Sequence, residues 1–261
     1  MGYNSDAVKA LTIWLGTLVP DDGAILEFGE QQVNNDVPPD VILALLDRTL
    51  GDDNKAAEIY GRYFRHGDFF RDGERRVADA FRGSSFTYRC LDLVERDLVI
   101  KADLNLYRVP DELRSKFHLL TNQGTTEHVA DQINAFRCIH DFTAPGGTMI
   151  HALPAAGYLN HGLFNYHPAF FVLLAQANDY LIEQMQLTPP STPYSIPDTV
   201  PGYNDWSDHI VASGMIVVRL RKQNDRPFQL FTDAPSLNAP CAEPWQTMMY
   251  ERYDLRIRNK P

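Results

Sequence analysis

Imidazole is the side chain whose ordinary pKa, ~6.5, lets it take and return a proton near neutral pH. The chain has eight histidines, and His151, His161 and His167 cluster in one stretch. His161 lies in Asn160-His161-Gly162, a polar, glycine-containing segment, and ranks first as a general base. His151, inside the run TMIHALP, ranks second, and His128, beside Glu127, ranks third. Each has a structural alternative. His151 fits a hydrogen-bonded core histidine, His128 a helix surface with Glu127 favouring the helix dipole, and His167 the residue before Pro168 at a helix start. A metal reading would join His151, His161 and Glu127. Their spacing matches no compact ligand motif, so no metal site is expected.

Carboxylates and amides recur at the ends of apolar runs, where an open α/β sheet binds its ligands. Glu27, Gly29 and Glu30 follow the run AILEF, Asp92 follows YRCL, Asp103, Leu104 and Asn105 follow VIKA, and Asn122 follows FHLLT. A carboxylate at the end of a second strand can accept both hydroxyls of a ribose. An aspartate one strand further can accept the exocyclic amine of adenine, and a glycine after the first strand lets a ligand approach the backbone. No G-x-G-x-x-G and no P-loop lysine appear, so an adenosine ligand without a pyrophosphate fits better than a dinucleotide or ATP.

These residues need elements to hold them. Apolar spacing predicts a helix over 6–18, ended by Pro20 and the Asp21-Asp22-Gly23 turn. Strands are expected at 24–29, 86–92, 98–103, 117–122, 148–153, 180–187 and 214–220. Helical patterns fill 40–82, a helix capped by Thr125 or Thr126 is expected to run to about His140, and another covers 168–178. The expectation is one domain over 1–261, with a helical insertion at about 36–85 and a long Pro-, Ser- and Thr-rich loop at about 188–206. Its fold is α/β: a Rossmann-like, seven-stranded, mostly parallel sheet with an antiparallel edge strand and helices on both faces. In the aromatic run after His161, Phe170 and Phe171 read as core, and Tyr158 and Tyr166 as pocket walls.

Composition narrows the partners. With 261 residues the chain can bury a large core, and its formal charge of -10 argues against nucleic-acid binding. Arg71, Arg75, Arg76 and Arg82 lie close together but read as solvated helix faces. Cys90, Cys138 and Cys241 form no C-x-x-C pair, and the first two read as small core residues of a reduced protein. No apolar stretch reaches the length of a membrane span, and the first residues lack a signal-peptide pattern, so a cytoplasmic protein is expected.

The succession ILEFGEQ, YRCLDL, VIKADLN, FHLLTNQGTTEHV and APGGTMIHALP resembles the class I S-adenosylmethionine-dependent methyltransferases over roughly residues 24–220. The stretch HALPAAGYLNHGLFNYHPAFFVLLAQANDY looks like that of bacterial members acting on small molecules or glycan precursors. The resemblance implies S-adenosylmethionine as cofactor and a small polar acceptor, with a homodimer as one possible assembly. It places Glu27, Gly29 and Glu30 on the cofactor loop, Asp92 on ribose, Asp103 and Leu104 on adenine, and Asn122 beside the methionine part. A histidine base would then serve O-methylation. The chain departs from the family's E-x-G-x-G-x-G loop, because Glu30, Gln31 and Gln32 follow Gly29 and the later glycines are missing. That departure supports an alternative, a non-catalytic methyltransferase-like partner protein. A nicotinamide-dependent oxidoreductase is disfavoured by the absent dinucleotide loop.

Overall fold

The computed structural model describes residues 2–65, 75–158, 161–188, 194–195 and 214–231. Helix α1 (Ser5–Thr17) starts where Asn4 Oδ1 accepts the Ala7 N–H at 2.9 Å, and it buries Val8, Leu11 and Leu15 along one stripe. Strand β1 (Ala24–Phe28) is apolar except for Glu27, as befits a parallel strand covered on both faces. Helix α2 (Pro39–Leu50) begins on prolines and ends at Gly51, whose φ of 59° turns the chain out of the helix. Helix α3 (Asp53–Ile59) runs on through a π-turn over Tyr60–Phe64, and a 3₁₀ turn covers Val77–Phe81.

Then follow β2 (Thr87–Asp92), β3 (Val99–Lys101) and β4 (Phe117–Gln123), with a 3₁₀ turn at Thr126–His128. Helix α4 (Gln132–Phe142), strand β5 (Thr143–Ala156) and helix α5 (Pro168–Asn178) come next. Strands β6 (Tyr180–Thr188), β7 (Tyr194–Ser195) and β8 (Gly214–Lys222) complete the described chain.

The sheet has the order β3-β2-β1-β4-β5-β8-β6-β7. Strands β3, β2, β1, β4 and β5 are mutually parallel, and β8 runs antiparallel between β5 and β6. Seven strands of three residues or more plus the two-residue β7 thus form the expected mostly parallel sheet, with its antiparallel pairings gathered at one end. Register brings Phe28 level with Leu91 and Asn122, and Asn122 level with His151. The carboxyl ends of these central strands therefore share one rim. The chain reverses its direction of travel across the sheet between β1 and β4, the switch point at which such sheets open a crevice.

Alternation along each strand feeds two apolar layers. Ile25, Tyr88, Cys90, Leu119 and Ile150 pack with α1, α2 and the Val77–Phe81 turn on one face. Leu26, Phe28, Leu91, Leu120, Met149 and Leu153 pack with α4 and α5 on the other.

Three local readings change. The helix expected from Thr125 or Thr126 to His140 is two elements, because Thr125 makes no cap and Asp131 instead accepts the Asn134 N–H at 2.8 Å to start α4. Strand β5 extends well beyond 148–153 at both ends. Arg75, Arg76 and Arg82 are not solvated faces. Arg75 donates to the carbonyls of Phe64, Val33 and Asn34, Arg76 pairs with Glu30, and Arg82 pairs with Asp79 and Asp97. Arg71, Cys241 and nearly all of the 188–206 loop lie outside the described residues. Cys90 and Cys138 are buried thiols, as expected.

Candidate active site

The rim divides at the switch point. On the β1–β2 side, Glu27 is buried beneath the loop that follows β1. Its Oε2 accepts the Tyr88 hydroxyl at 2.6 Å and the Gln31 N–H at 3.2 Å. Burial raises its pKa to about 7. Glu30 pairs with Arg76 and, at 2.7 Å, with Arg96. The loop is also tied to its neighbours by two isolated bridges, Tyr3 with Val33 and Gln32 with Arg76. Gln32 O accepts from Tyr3 N at 2.7 Å, Val33 N donates to Arg75 O at 2.7 Å, and Val77 N donates to Gln31 O at 2.9 Å. Gly29 has φ 76°, and a Cβ there would run into the Thr125 hydroxyl. The space beside the first glycine is thus filled by Thr125 and Gln31.

Asp92 stands half-buried at the end of β2, with Oδ2 accepting Glu30 N at 3.1 Å and Oδ1 accepting Val94 N at 3.2 Å. Carboxylate oxygens have further lone pairs for ribose hydroxyls. Asp103 is exposed, and its Oδ1 takes the Asn105 backbone and side-chain N–H groups at 3.0 and 2.8 Å. Leu104 is a core residue.

On the β4–β5 side a polar clasp holds the turn after β4. Asn122, fully buried, donates from Nδ2 to Thr126 Oγ1 at 2.9 Å and lies 3.2 Å from His151 Nδ1, while its Oδ1 accepts Thr126 N at 3.3 Å. The Tyr166 hydroxyl bridges Thr126 Oγ1 and Gln132 Oε1 at 2.9 and 2.6 Å, and Gln132 Nε2 donates to the carbonyls of Thr126 and Val129. Both side-chain polar atoms of Asn122 are engaged in this clasp, with one further lone pair left on Oδ1. His151 is enclosed against Phe136 and Phe171, and burial lowers its pKa to about 3. Its geometry is that of a neutral core histidine and does not offer it to an acceptor. His167 is likewise structural, its Nδ1 accepting Ala169 N at 3.1 Å to cap α5.

The clasp presents Glu127. This carboxyl is 0% exposed, yet neither oxygen has a hydrogen-bond partner among the described residues. The loop after β5 folds onto it: Leu163 N and Phe164 N donate to Glu127 O at 2.7 and 3.2 Å. Gly162, at φ 70°, lies so close that a Cβ would sit 2.8 Å from Glu127 Cγ. This fold brings His161 Nε2 to 3.3 Å from Glu127 Oε1, and His128 Nε2 lies 3.7 Å from the same oxygen. The two rings meet edge to face at 4.8 Å, and Tyr158 flanks His161. Of the three candidate bases, the structure brings His161 and His128 together and leaves His151 behind. In the sequence Glu127 stands out as a neighbour of His128 and as one member of a metal reading with His151 and His161; the structure brings His161 and His128 to it and leaves His151 apart. The signal for Glu127 was the TEH…NHG pair of polar triplets, each following an expected strand.

A cavity of about 370 Å³ opens away from this rim among Arg114, Arg137, His140, Lys222, Asp225 and Phe228. Its buried lysine is spent internally, because Lys222 donates to His140 O, Thr143 O and Asp225 at 3.0, 2.9 and 3.0 Å.

No family model and no curated protein matches the chain. Among solved structures, the 1,6-didemethyltoxoflavin N1-methyltransferase of Burkholderia thailandensis, with 1,6-didemethyltoxoflavin and S-adenosylhomocysteine bound, is similar at TM-score 0.44 and 11% identity, over 84% of this chain and 78% of that one. An S-adenosylmethionine-dependent methyltransferase of Mesorhizobium loti is similar at TM-score 0.39 and 13% identity, over 82% of this chain and 99% of that one. The cyclase SpnF is similar at TM-score 0.44 and 11% identity, over 83% of this chain and 82% of that one. The fold description stands on this chain's own strand order and register. No helix among the described residues is long and apolar enough to cross a membrane.

Proposed function

We propose that this chain is an S-adenosylmethionine-dependent methyltransferase that methylates an oxygen of a small polar acceptor, with Glu127 and His161 activating that acceptor. The observation that carries the reading is the unpartnered, fully buried Glu127 carboxyl facing His161 on the carboxyl rim. The cofactor would supply an electrophilic methyl group. Asp92 would accept the ribose hydroxyls and Asp103 the adenine amine, while Glu27 and Glu30 hold the loop itself. The methionine side would have to be cleared of Gln31 and of the Thr125 side chain, which donates to Phe28 O. Gln31 Nε2 has only a 3.5 Å contact with Thr125 Oγ1 and its buried Oε1 has no partner, so turning this side chain away sacrifices little.

Glu127 would orient the His161 ring, one nitrogen of which would take the acceptor proton. Proximity of acceptor and methyl group would supply much of the remaining rate. The reading takes the protein as cytoplasmic and as one domain, with the 36–85 segment an insertion within it and a homodimer as one assembly open to it. Incubation with labelled S-adenosylmethionine and a panel of small hydroxylated acceptors tests it. The expected result is S-adenosylhomocysteine formed in step with a methylated product. Absence of both turnover and S-adenosylhomocysteine binding would reject it.

The alternative, a non-catalytic methyltransferase-like partner protein, is favoured by the tied-down loop and by Thr125 and Gln31 lying where a ligand would rest. Under that reading S-adenosylhomocysteine does not bind even after Gln31 is removed.

A further inference from the structure

Glu127, His128 and His161 converge on one point. One ligand atom from each lies within 4.8 Å of the others. The separations from Glu127 Oε1, 3.3 Å to His161 Nε2 and 3.7 Å to His128 Nε2, are not hydrogen bonds, for that oxygen has no hydrogen-bond partner among the described residues. These two separations are close to the edge of a tetrahedron, roughly 3.4 Å, whose corners sit about 2.1 Å from a central ion, while the three ligand atoms together span up to 4.8 Å, so the two imidazoles would draw in on binding. A fully buried carboxylate with neither oxygen bonded is costly, and a cation would supply the missing partner.

We propose that Glu127, His128 and His161 bind a divalent transition-metal ion of the zinc and ferrous-iron class. Two imidazole nitrogens and one carboxylate oxygen suit these ions rather than magnesium or calcium, which prefer all-oxygen shells. The ligands are preset by the backbone. The clasp of Asn122, Thr126, Tyr166 and Gln132 fixes the turn that carries Glu127 and His128. The Leu163 and Phe164 N–H groups, closing on Glu127 O past Gly162, fix His161. The His128 side chain is 49% exposed and that of His161 33%, which leaves an entry path and an open coordination position. Three protein ligands with an open fourth position form the arrangement in which such an ion polarises a bound oxygen. With the ion in place His161 is a ligand, and a metal-bound acceptor hydroxyl becomes the acidic group. The site itself does not rest on the methyl-donor reading, since its three ligands need no cofactor.

The test is titration of the chelator-stripped full chain with cobalt(II), followed by visible absorption, and with zinc by calorimetry. The expected result is one equivalent of cobalt with ligand-field bands of four- or five-coordination, displaced by zinc. Glu127→Gln and His128→Ala should each weaken zinc binding by at least about 100-fold, more than is lost when a residue that only supports a ligand is changed. His128 is half-exposed, so its removal leaves a folded chain, checked by circular dichroism. Failure to take up a stoichiometric ion, or uptake unchanged in both variants, would overturn the proposal and leave a simple imidazole–carboxylate pair. Titrating the same metal-free protein with S-adenosylhomocysteine separates the two ideas, because metal uptake without it would count against the methyl-donor reading alone.

Discussion

The two halves of the carboxyl rim differ in which buried polar groups they leave unbonded: the neutral Gln31 Oε1 and Tyr3 hydroxyl on the β1–β2 side, and both oxygens of the Glu127 carboxyl on the β4–β5 side. On the β1–β2 side Glu27 is bonded to Tyr88 and Gln31, Glu30 is paired with two arginines, and the loop backbone is tied to Tyr3, Arg75 and Val77. On the β4–β5 side an equally dense clasp ends at Glu127, where carboxylate and imidazoles face one another unbonded. A fold satisfies buried polar groups wherever it can. Groups held rigidly yet left unpaired are therefore where a ligand or a reaction is to be sought. The difference separates a half that supports the loop from a half poised for chemistry.

The largest expected effect lies in the open half. His161→Ala should lower turnover by about 100-fold or more, the usual worth of a general base, while affinity for S-adenosylhomocysteine stays nearly constant. Steady-state kinetics beside calorimetry check this, and an unchanged rate would move the chemistry elsewhere on the rim.

The next effect concerns stability, and here each half contributes a titrating group. Burial raises Glu27 from 4.5 to about 7, so its stabilisation is present below pH 4.5 and is lost as pH rises through about 7. Burial lowers His151 from 6.5 to about 3, so the unfolded chain takes a proton below pH 6.5 and stability is lost as pH falls towards 3. Between pH 4.5 and 6.5 the two slopes oppose. Glu27→Gln removes one of them. Relative to the wild type, its unfolding free energy should climb with pH over that window by about 1.4 kcal/mol per unit, as measured by urea denaturation. Parallel pH profiles for the two proteins would show that Glu27 is not the buried acid described.

The smallest effect tests the plug in the closed half. Gln31→Gly should tighten S-adenosylhomocysteine binding by less than about 10-fold, because the Gln31 side chain gives up only weak contacts. Weaker binding in this variant would mean that Gln31 helps to hold the ligand.

Much of the fold is legible in the sequence. The helix over 6–18 with Leu11 and Leu15 buried, the run AILEF, the Pro168 helix start and the strand GMIVVRL each stand at their expected places, because period and end signals act locally. The helix expected to run on from Thr125 or Thr126 did not form as one piece. Local capping rules could not show that the Thr125 hydroxyl is claimed by Phe28 O, a residue distant in sequence. The arginines at 75, 76 and 82 misled for the same reason, since their partners Glu30, Val33, Asn34 and Asp97 come from other segments. In the site, His161 and His128 were visible as residue types, but the arrival of His161 at Glu127 depends on the loop after β5 closing over Gly162. His151 carried the same chemical promise in sequence, and burial alone removes it.

The most direct test of the account is calorimetric titration of the wild type and of Asp92→Ala with S-adenosylhomocysteine. The account predicts saturable one-to-one binding by the wild type. In the variant it predicts a loss of about 1.5–3 kcal/mol, roughly 10- to 150-fold in affinity, as a charged hydrogen-bonding group for the ribose is removed. No binding by the wild type, or equal affinity in the two proteins, would contradict it.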